Sequence, residues 1–351
     1  MTTSAVSGLL ALGWDDGWVS ALAELGDRTL WPARVSRIDR GMCTVMTGTT
    51  GLRMAADRRV EVAVGDWVAV RPGSPGDGRA RIVAVLPRRA VFWRAAAARG
   101  ATPQIVAANI DTVFLCDALD GNLSLRHLER FLALAWQSGA SPVVLITKAD
   151  AIPPAIVSEA VKAVKSVAGR VSVVVVSSTT GEGINDVAPY VVRGRTVALL
   201  GLSGAGKSTL VNLLAGAEIS ATGAVRKDGS GRHTTSHRQL VPIPGGGLLI
   251  DTPGMRALSV VGARDGVEEA FDDVEVVADS CTYADCTHAG EPGCALTAAL
   301  YDGRLEPSRL ESWLRLRAEP ASSELAVARF QVAERKRRKA AKVAARRAAR
   351  T

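Results

Sequence analysis

The nine residues 201–209, GLSGAGKST, constrain this chain more than any other stretch. Gly201, Gly206, Lys207 and Ser208 satisfy the phosphate-binding spacing G-x-x-x-x-G-K-[ST]. An apolar run of strand type precedes them (196–200), and a breaker-free segment with helical spacing follows (209–214). In that frame the glycines let backbone N–H groups curl around phosphate oxygens. The helix N-terminus adds positive potential, and Lys207 supplies a full charge. Leu202, Ser203, Gly204, Ala205 and Thr209 complete the phosphate-cradling set, and Ser208 is the residue expected to place its hydroxyl on Mg²⁺. A nucleotide site on an α/β sheet is the first expectation.

At 351 residues the chain has room for two or three domains. Its net charge of +8 is unevenly placed. Residues 335–351 carry nine basic side chains and no acid, leaving the rest of the chain with a net charge of −1. Such a tail suits an arm for a polyanion, the bland alternative being a solvated extension. No run of 18 apolar residues is present, so no membrane partner is expected. Residues 1–16 lack the basic n-region and cleavage pattern of a secretory signal. Five cysteines, three clustered with a histidine, argue for a metal over disulfides, and together these features point to the cytoplasm.

After a lead-in with Trp14 and Trp18 as anchors, the pattern changes to short alternating strands at 33–39, 42–47, 51–55, 66–70 and 80–86, separated by Gly- and Pro-rich turns. Five strands in so short a span suit a small closed barrel of OB type, a fold that either binds oligonucleotides or is purely structural. Arg88, Arg89, Arg94 and Arg99 follow, with Phe92 and Trp93 among them. Basic groups beside aromatics suit RNA; the alternative is that the aromatics pack a domain junction. Cys43 and Cys116 stand in strands and read as core residues.

From 104 to 200 strand and helix alternate, with strands at 110–116, 143–147 and 171–176 and helices at 125–137 and 155–167, the signature of a mostly parallel sheet. Thr147-Lys148-Ala149-Asp150 follows one strand directly. The Asp150 carboxylate can accept hydrogen bonds from the N1–H and N2–H₂ of guanine, which adenine does not offer in that arrangement, and the Lys148 stem can cover the base. Ser177-Ser178-Thr179 follows the next strand, where a backbone N–H meets the guanine O6. Both lie at strand C-termini, where ligands bind in open α/β sheets.

Beyond the phosphate loop, Arg232-His233-Thr234-Thr235 sits in a polar, glycine-rich stretch, where Thr234 or Thr235 is expected to reach Mg²⁺. A strand at 247–250 ends in Asp251-Thr252-Pro253-Gly254; Asp251 would hold Mg²⁺ through water and the Gly254 N–H would sense the γ-phosphate. The result is a guanine-nucleotide switch in rearranged order, the base-recognition loops preceding the phosphate loop. Joining old termini and opening a new break elsewhere preserves such a sheet. The DTPG switch then leads straight into the C-terminal module. There CTYADCTHAGEPGC offers Cys281, Cys286, His288 and Cys294, a closed tetrahedral zinc set of structural type. A helix is expected at 307–317, and an alanine-rich basic helix or arm from Ser322.

With barrel, TKAD, SSTTGEG, GLSGAGKST, RHTT, DTPG and C-x4-C-x-H-x5-C in this order, the chain resembles the circularly permuted GTPases of small ribosomal subunit biogenesis, the RsgA (YjeQ) family. The resemblance implies an OB barrel, a permuted P-loop GTPase domain, and a small mostly α zinc-binding domain with a basic tail. The corresponding divisions are 1–95, 96–262 and 263–351. It also implies a monomer that hydrolyses GTP under stimulation by the small (30S) subunit, with rRNA contacts from both flanking domains. A rival reading is an RNA-binding assembly factor whose GTP site only gates affinity; an ATPase is disfavoured by Asp150. Thr147 stands where many GTPases have Asn, and Ser178 where Ala is common. Met255 follows DxxG where many have a water-orienting Gln, so unassisted hydrolysis should be slow, and His233 is the group expected to assist.

Overall fold

A computed structural model describes residues 3–39, 42–48, 50–73, 78–94, 104–119, 123–218, 239–251 and 264–318. The basic tail and the helix expected from Ser322 lie outside them.

Five strands form the barrel: β1 (Trp31–Asp39), β2 (Met42–Met46), β3 (Gly51–Ala56), β4 (Trp67–Arg71) and β5 (Arg81–Val85). They run in the order β1-β2-β3-β5-β4, and β4 returns to β1, so no edge strand is left within the ring. Only the β3–β5 pairing is parallel. Alternate residues, among them Val35, Val45, Met54, Val68, Val70 and Ile82, fill the interior. Outside it lie α1 (Thr3–Ala11) and α2 (Asp16–Ala23). Asp15 caps α2, accepting from the Trp18 N–H at 3.2 Å. The expected anchors Trp14 and Trp18 meet Trp67 of β4 at ring-centroid distances of 4.7 and 6.3 Å.

A two-stranded ribbon, β6 (Val91–Arg94) with β7 (Gln104–Ala108), leads onward, and the 95/96 division read from the sequence falls between its strands. Here the basic–aromatic cluster departs from an RNA surface. Arg88 is sealed against Asp66, Nε to Oδ1 and Nη2 to Oδ2 both at 2.7 Å, with side chains only 3% and 0% exposed. Arg89 forks onto Asp15 and lies over the Trp18 ring, and Phe92 is buried. Their stacking and charge are spent on the junction.

The second sheet contains β8 (Thr112–Ala118), β9 (Ser141–Thr147), β10 (Val173–Val175), β11 (Thr196–Leu200), β12 (Gln239–Pro242) and β13 (Leu248–Asp251) in the order β10-β9-β8-β11-β13-β12. All neighbours are parallel except β12 with β13. Helices α3 (Leu125–Ser138), α4 (Pro154–Ala168), α5 (Ile184–Val187) and α6 (Lys207–Ala215) accompany it. Val113, Leu115, Val144 and Ile146 are buried on one face; Phe114, Val143, Leu145 and Leu199 on the other. That two-sided burial explains the continuous apolar runs of its strands. Strand β12, which sequence periodicity missed, also pairs with β1, so the barrel continues the same sheet.

Arg34, fully buried, rivets this junction. It donates to the carbonyls of Leu12, Gly65 (3.3 Å) and Asn109 (2.9 Å). Burial pulls its pKa down to about 10, which leaves it charged at neutral pH. Gly65 is required here: its φ is +89°, and a Cβ would stand 2.1 Å from the Ala108 carbonyl oxygen.

The C-terminal module comprises α7 (Arg264–Ala270), α8 (Asp272–Ala278), α9 (Ala295–Tyr301) and α10 (Pro307–Ala318). Helix α7 lies on α3 so closely that a Cβ on Gly266 would approach the Ala133 carbonyl oxygen to 2.3 Å. Arg309 of α10 reaches the buried Glu129 of α3 at 2.9 Å and Asp273 of α8 at 2.7 Å. Among the described residues no helix is long and apolar enough to cross a membrane.

Candidate nucleotide and metal sites

The phosphate loop joins β11 to α6. Its conformation depends on glycine at two kinds of position. A Cβ on Gly201 would lie 2.2 Å from the Cys116 carbonyl oxygen, and Gly204 and Gly206 have φ of +84° and +71°. Gly206 is the N-cap of α6, so Lys207, Ser208 and Thr209 form the first turn, whose amides have no partners within the helix. Lys207 Nζ donates to the Gly201 carbonyl at 2.8 Å and also to that of Leu202, which draws its charge over the loop. Ala205 is buried beneath the loop, while Ser203 and Gly204 are exposed at its crest.

Thr147 ends β9 and is buried. Its Oγ1 lies 3.1 Å from the carbonyl oxygens of both Ala205 and Asp117. One hydroxyl thus ties the TKAD turn to the phosphate loop. Lys148 follows in the left-handed region at φ +59°, an uncommon conformation that turns the chain sharply, and Asp150 projects into solvent from a single 3₁₀ turn. On the neighbouring strand end Ser177 is fully buried. Its Oγ accepts from the amides of Thr179 (3.2 Å) and Thr180 (3.0 Å), while its own N–H donates to Glu182. Ser177 therefore shapes the loop, and Ser178, half-exposed, is the residue left at its mouth.

Asp251 ends β13, the strand beside β11, in register with Leu199 one step beyond the Ala198–Ile250 pair. The phosphate loop, TKAD turn, serine loop and Asp251 accordingly share the C-terminal ends of β11, β9, β10 and β13. His233, Thr234, Thr235 and Gly254 lie outside the described residues. Cys116 and Cys43 are buried core residues as expected, and burial pushes the Cys116 thiol up to about 12.

The metal ligands Cys281, Cys286, His288 and Cys294 come together, their ligand atoms all within 4.8 Å of one another. Cys281 Sγ and Cys294 Sγ stand 3.6 and 3.8 Å from His288 Nδ1. Zn–S and Zn–N bonds of about 2.3 and 2.0–2.1 Å at tetrahedral angles give edges of about 3.6 Å, so the quartet fits zinc. His288 itself is at φ +62°, and its ring lies 5.3 Å from that of Trp313 in α10. Glu291 braces the loop, accepting from the amides of Thr287 (2.9 Å) and Ala289 (2.8 Å). With all four residues as ligands no position would stay open, so a zinc held there would be of the structural type. Sequence reasoning did not find this brace, or the Arg309–Glu129 pair; a glutamate on the otherwise apolar face of α3 was the available signal.

The family model described as RsgA GTPase matches residues 85–261. The small ribosomal subunit biogenesis GTPase RsgA of Streptomyces coelicolor is 45% identical over 322 residues, covering 89% of this chain and 87% of that protein. The protein of the same name from Opitutus terrae is 44% identical over 331 residues, covering 89% and 90%. Among solved structures, YjeQ from Thermotoga maritima is 26% identical with a TM-score of 0.61, over 82% of this chain and 97% of that one. YloQ, a circularly permuted GTPase, shares the fold at 22% identity and a TM-score of 0.59, over 83% and 95%. With the phosphate loop, the rearranged sheet and the Cys/His quartet all in place, this chain belongs to the RsgA GTPase family.

Proposed function

We propose that this protein hydrolyses GTP to GDP and phosphate in the cytoplasm as a monomer acting in late maturation of the small ribosomal subunit, which stimulates its turnover. The observation that carries the nucleotide part is the Thr147 hydroxyl, which binds the base-recognition turn to the phosphate loop. It makes guanine binding and phosphate positioning one structural unit.

In this reading Asp150 accepts from the guanine N1–H and N2–H₂, Lys148 covers the ring, and the serine loop, with Ser178 at its mouth, presents a backbone N–H to O6. The amides of 201–209 and Lys207 hold the phosphates. Ser208, Asp251 and one of Thr234 and Thr235 hold Mg²⁺, which when bound neutralises charge on the β- and γ-phosphates; Ser208 and Asp251 belong to adjacent strand-end units, which suits that role. Gly254 reports the γ-phosphate, and His233 orients the attacking water once the subunit has ordered its loop. The zinc module and the barrel make the rRNA contacts.

The test is GTP turnover with and without purified small subunits, wild type against Lys207→Ala. Stimulated turnover abolished by the substitution is expected. GTP binding without turnover in either condition would overturn the hydrolase reading in favour of an affinity gate. Stimulation undiminished in His233→Ala would remove that residue's role.

A further inference from the structure

We propose that the outer face of α8, with Asp272, Val276 and Asp279 along it and Glu269 of α7 beside it, is the docking surface for this chain's own basic tail, residues 335–351. The spacing i, i+4, i+7 sets the three α8 side chains on one side of the helix, while Val274 is buried and Val277 packs against the core. All four outer residues are exposed, Val276 by 61%. Among the described residues no hydrogen bond or ion pair engages the carboxylates of Glu269, Asp272 or Asp279, whereas Glu268 and Asp273 have partners. Asp272 suits the N-terminal turn of its helix, but Asp279 is the C-cap, where the helix dipole disfavours an acid. Helix stability therefore does not account for the stripe.

Charge and reach select the occupant. Residues 264–318 hold twelve acidic and five basic side chains, a net charge of −7, while residues 335–351 hold nine basic side chains and no acid. Three of the five bases are already tied to acids: Arg309 to Asp273 and Glu129, Arg317 to Glu275, and Arg304 to Asp302. A zinc on three thiolates and a neutral imidazole would keep a net negative charge, so the metal would not relieve the imbalance. The chain leaves α10 beside α8, since Arg317 Nη1 lies 3.8 Å from Glu275 Oε2 and Trp313 Nε1 donates to Glu275 Oε1 at 2.8 Å. Residues 319–334 then span at most about 55 Å, and α8 is only about 10 Å long. Tethering at that range gives an effective concentration of about 1 mM, enough for several weak surface ion pairs to hold the tail in place. Docked there, the arm is withheld from other polyanions, which must outcompete the module's own carboxylates.

The test uses the full zinc-loaded chain. Carbodiimide cross-linking at low salt, read by mass spectrometry on a mixture of isotope-labelled and unlabelled protein, should join Lys336, Lys339 or Lys342 to Glu269, Asp272 or Asp279 within one chain. Trypsin cleavage of the tail, taken relative to a free peptide of residues 335–351, is then compared between wild type and Glu269→Gln/Asp272→Asn/Asp279→Asn. Zinc content is the control for the module's fold. We expect cleavage about fivefold faster or more in the variant at about 50 mM salt, and no difference at about 1 M. Links confined to other acids would overturn the proposal, as would links formed only between chains, which would favour a second copy. Equal cleavage of the two proteins at low salt would overturn it as well. So would wild-type cleavage that salt leaves unchanged, a comparison independent of any substitution. Protection of the tail that arises only when an RNA oligonucleotide is added would make the tail a nucleic-acid arm with no seat on α8.

Discussion

Replacing Arg309 with Met should release the C-terminal module from the GTPase sheet. Glu129 lies on α3 with 3% of its side chain exposed, and Arg309 Nη1 meets its Oε1 at 2.9 Å. Burial pulls the Arg309 pKa down, but the hydrogen bonds to Asp273 and Glu129 more than offset this, so the guanidinium stays charged. Removing it strands a buried carboxylate, at a cost of about 3–5 kcal/mol. The Asp273 contact adds little, because that partner is 54% exposed and screened by water. Stacking over Phe271 at 4.1 Å adds about 1 kcal/mol. A chain of several units does not unfold in two states, so a global denaturation midpoint is the wrong readout. Native-state hydrogen exchange resolved to α10 and α3 is the right one, with opening of α10 about 3–5 kcal/mol easier in Arg309→Met. Glu129→Leu combined with Arg309→Met should recover most of that loss, since neither charge remains unpaired. A change below about 1 kcal/mol in the single variant, or no recovery in the double, would refute the reasoning.

Thr147→Val removes the one hydroxyl serving Ala205 and Asp117, at about 1–3 kcal/mol, so GTP affinity by calorimetry should fall about 5- to 150-fold and return in Thr147→Ser; equal weakening by Ser would show that shape, not the hydrogen bond, matters. Asp150→Ala should bring GTP affinity toward that for ATP by about tenfold or more, and retained discrimination in a competition titration would remove Asp150 from base recognition. Elemental analysis should find one zinc per chain, lost in Cys294→Ala together with exchange protection of α9; a protected α9 in metal-free protein would contradict a structural metal. Cys116, with its thiol raised to about 12, should resist iodoacetamide at neutral pH in the folded chain, as read by mass spectrometry.

Much of the site was legible because its parts are local. A phosphate loop needs its glycines, lysine and serine within nine residues, and its strand and helix adjoin it, so covalent spacing carries the information. The Cys281–Cys294 quartet is legible for the same reason, and alternation at 33–86 was enough for the closed barrel. Strand β12 escaped notice because four residues hold too little periodicity. The Arg88–Phe92 cluster was ambiguous because composition cannot say whether a cation faces solvent or a buried carboxylate; the Arg88–Asp66 pair decided that.

The sequence by itself determined the local motifs this chain carries: a phosphate loop, the strand-end loops proposed to read guanine, and a Cys/His quartet fit for zinc, each written in a few neighbouring residues. Only the tertiary structure decided how these are joined. Thr147 meets Ala205 across 58 residues, Arg34 reaches Asn109 across 75, and Arg309 finds Glu129 across 180. Such partners are selected by which buried polar groups lack a mate once the layers close. That balance of desolvation against hydrogen bonding exists only in the folded chain.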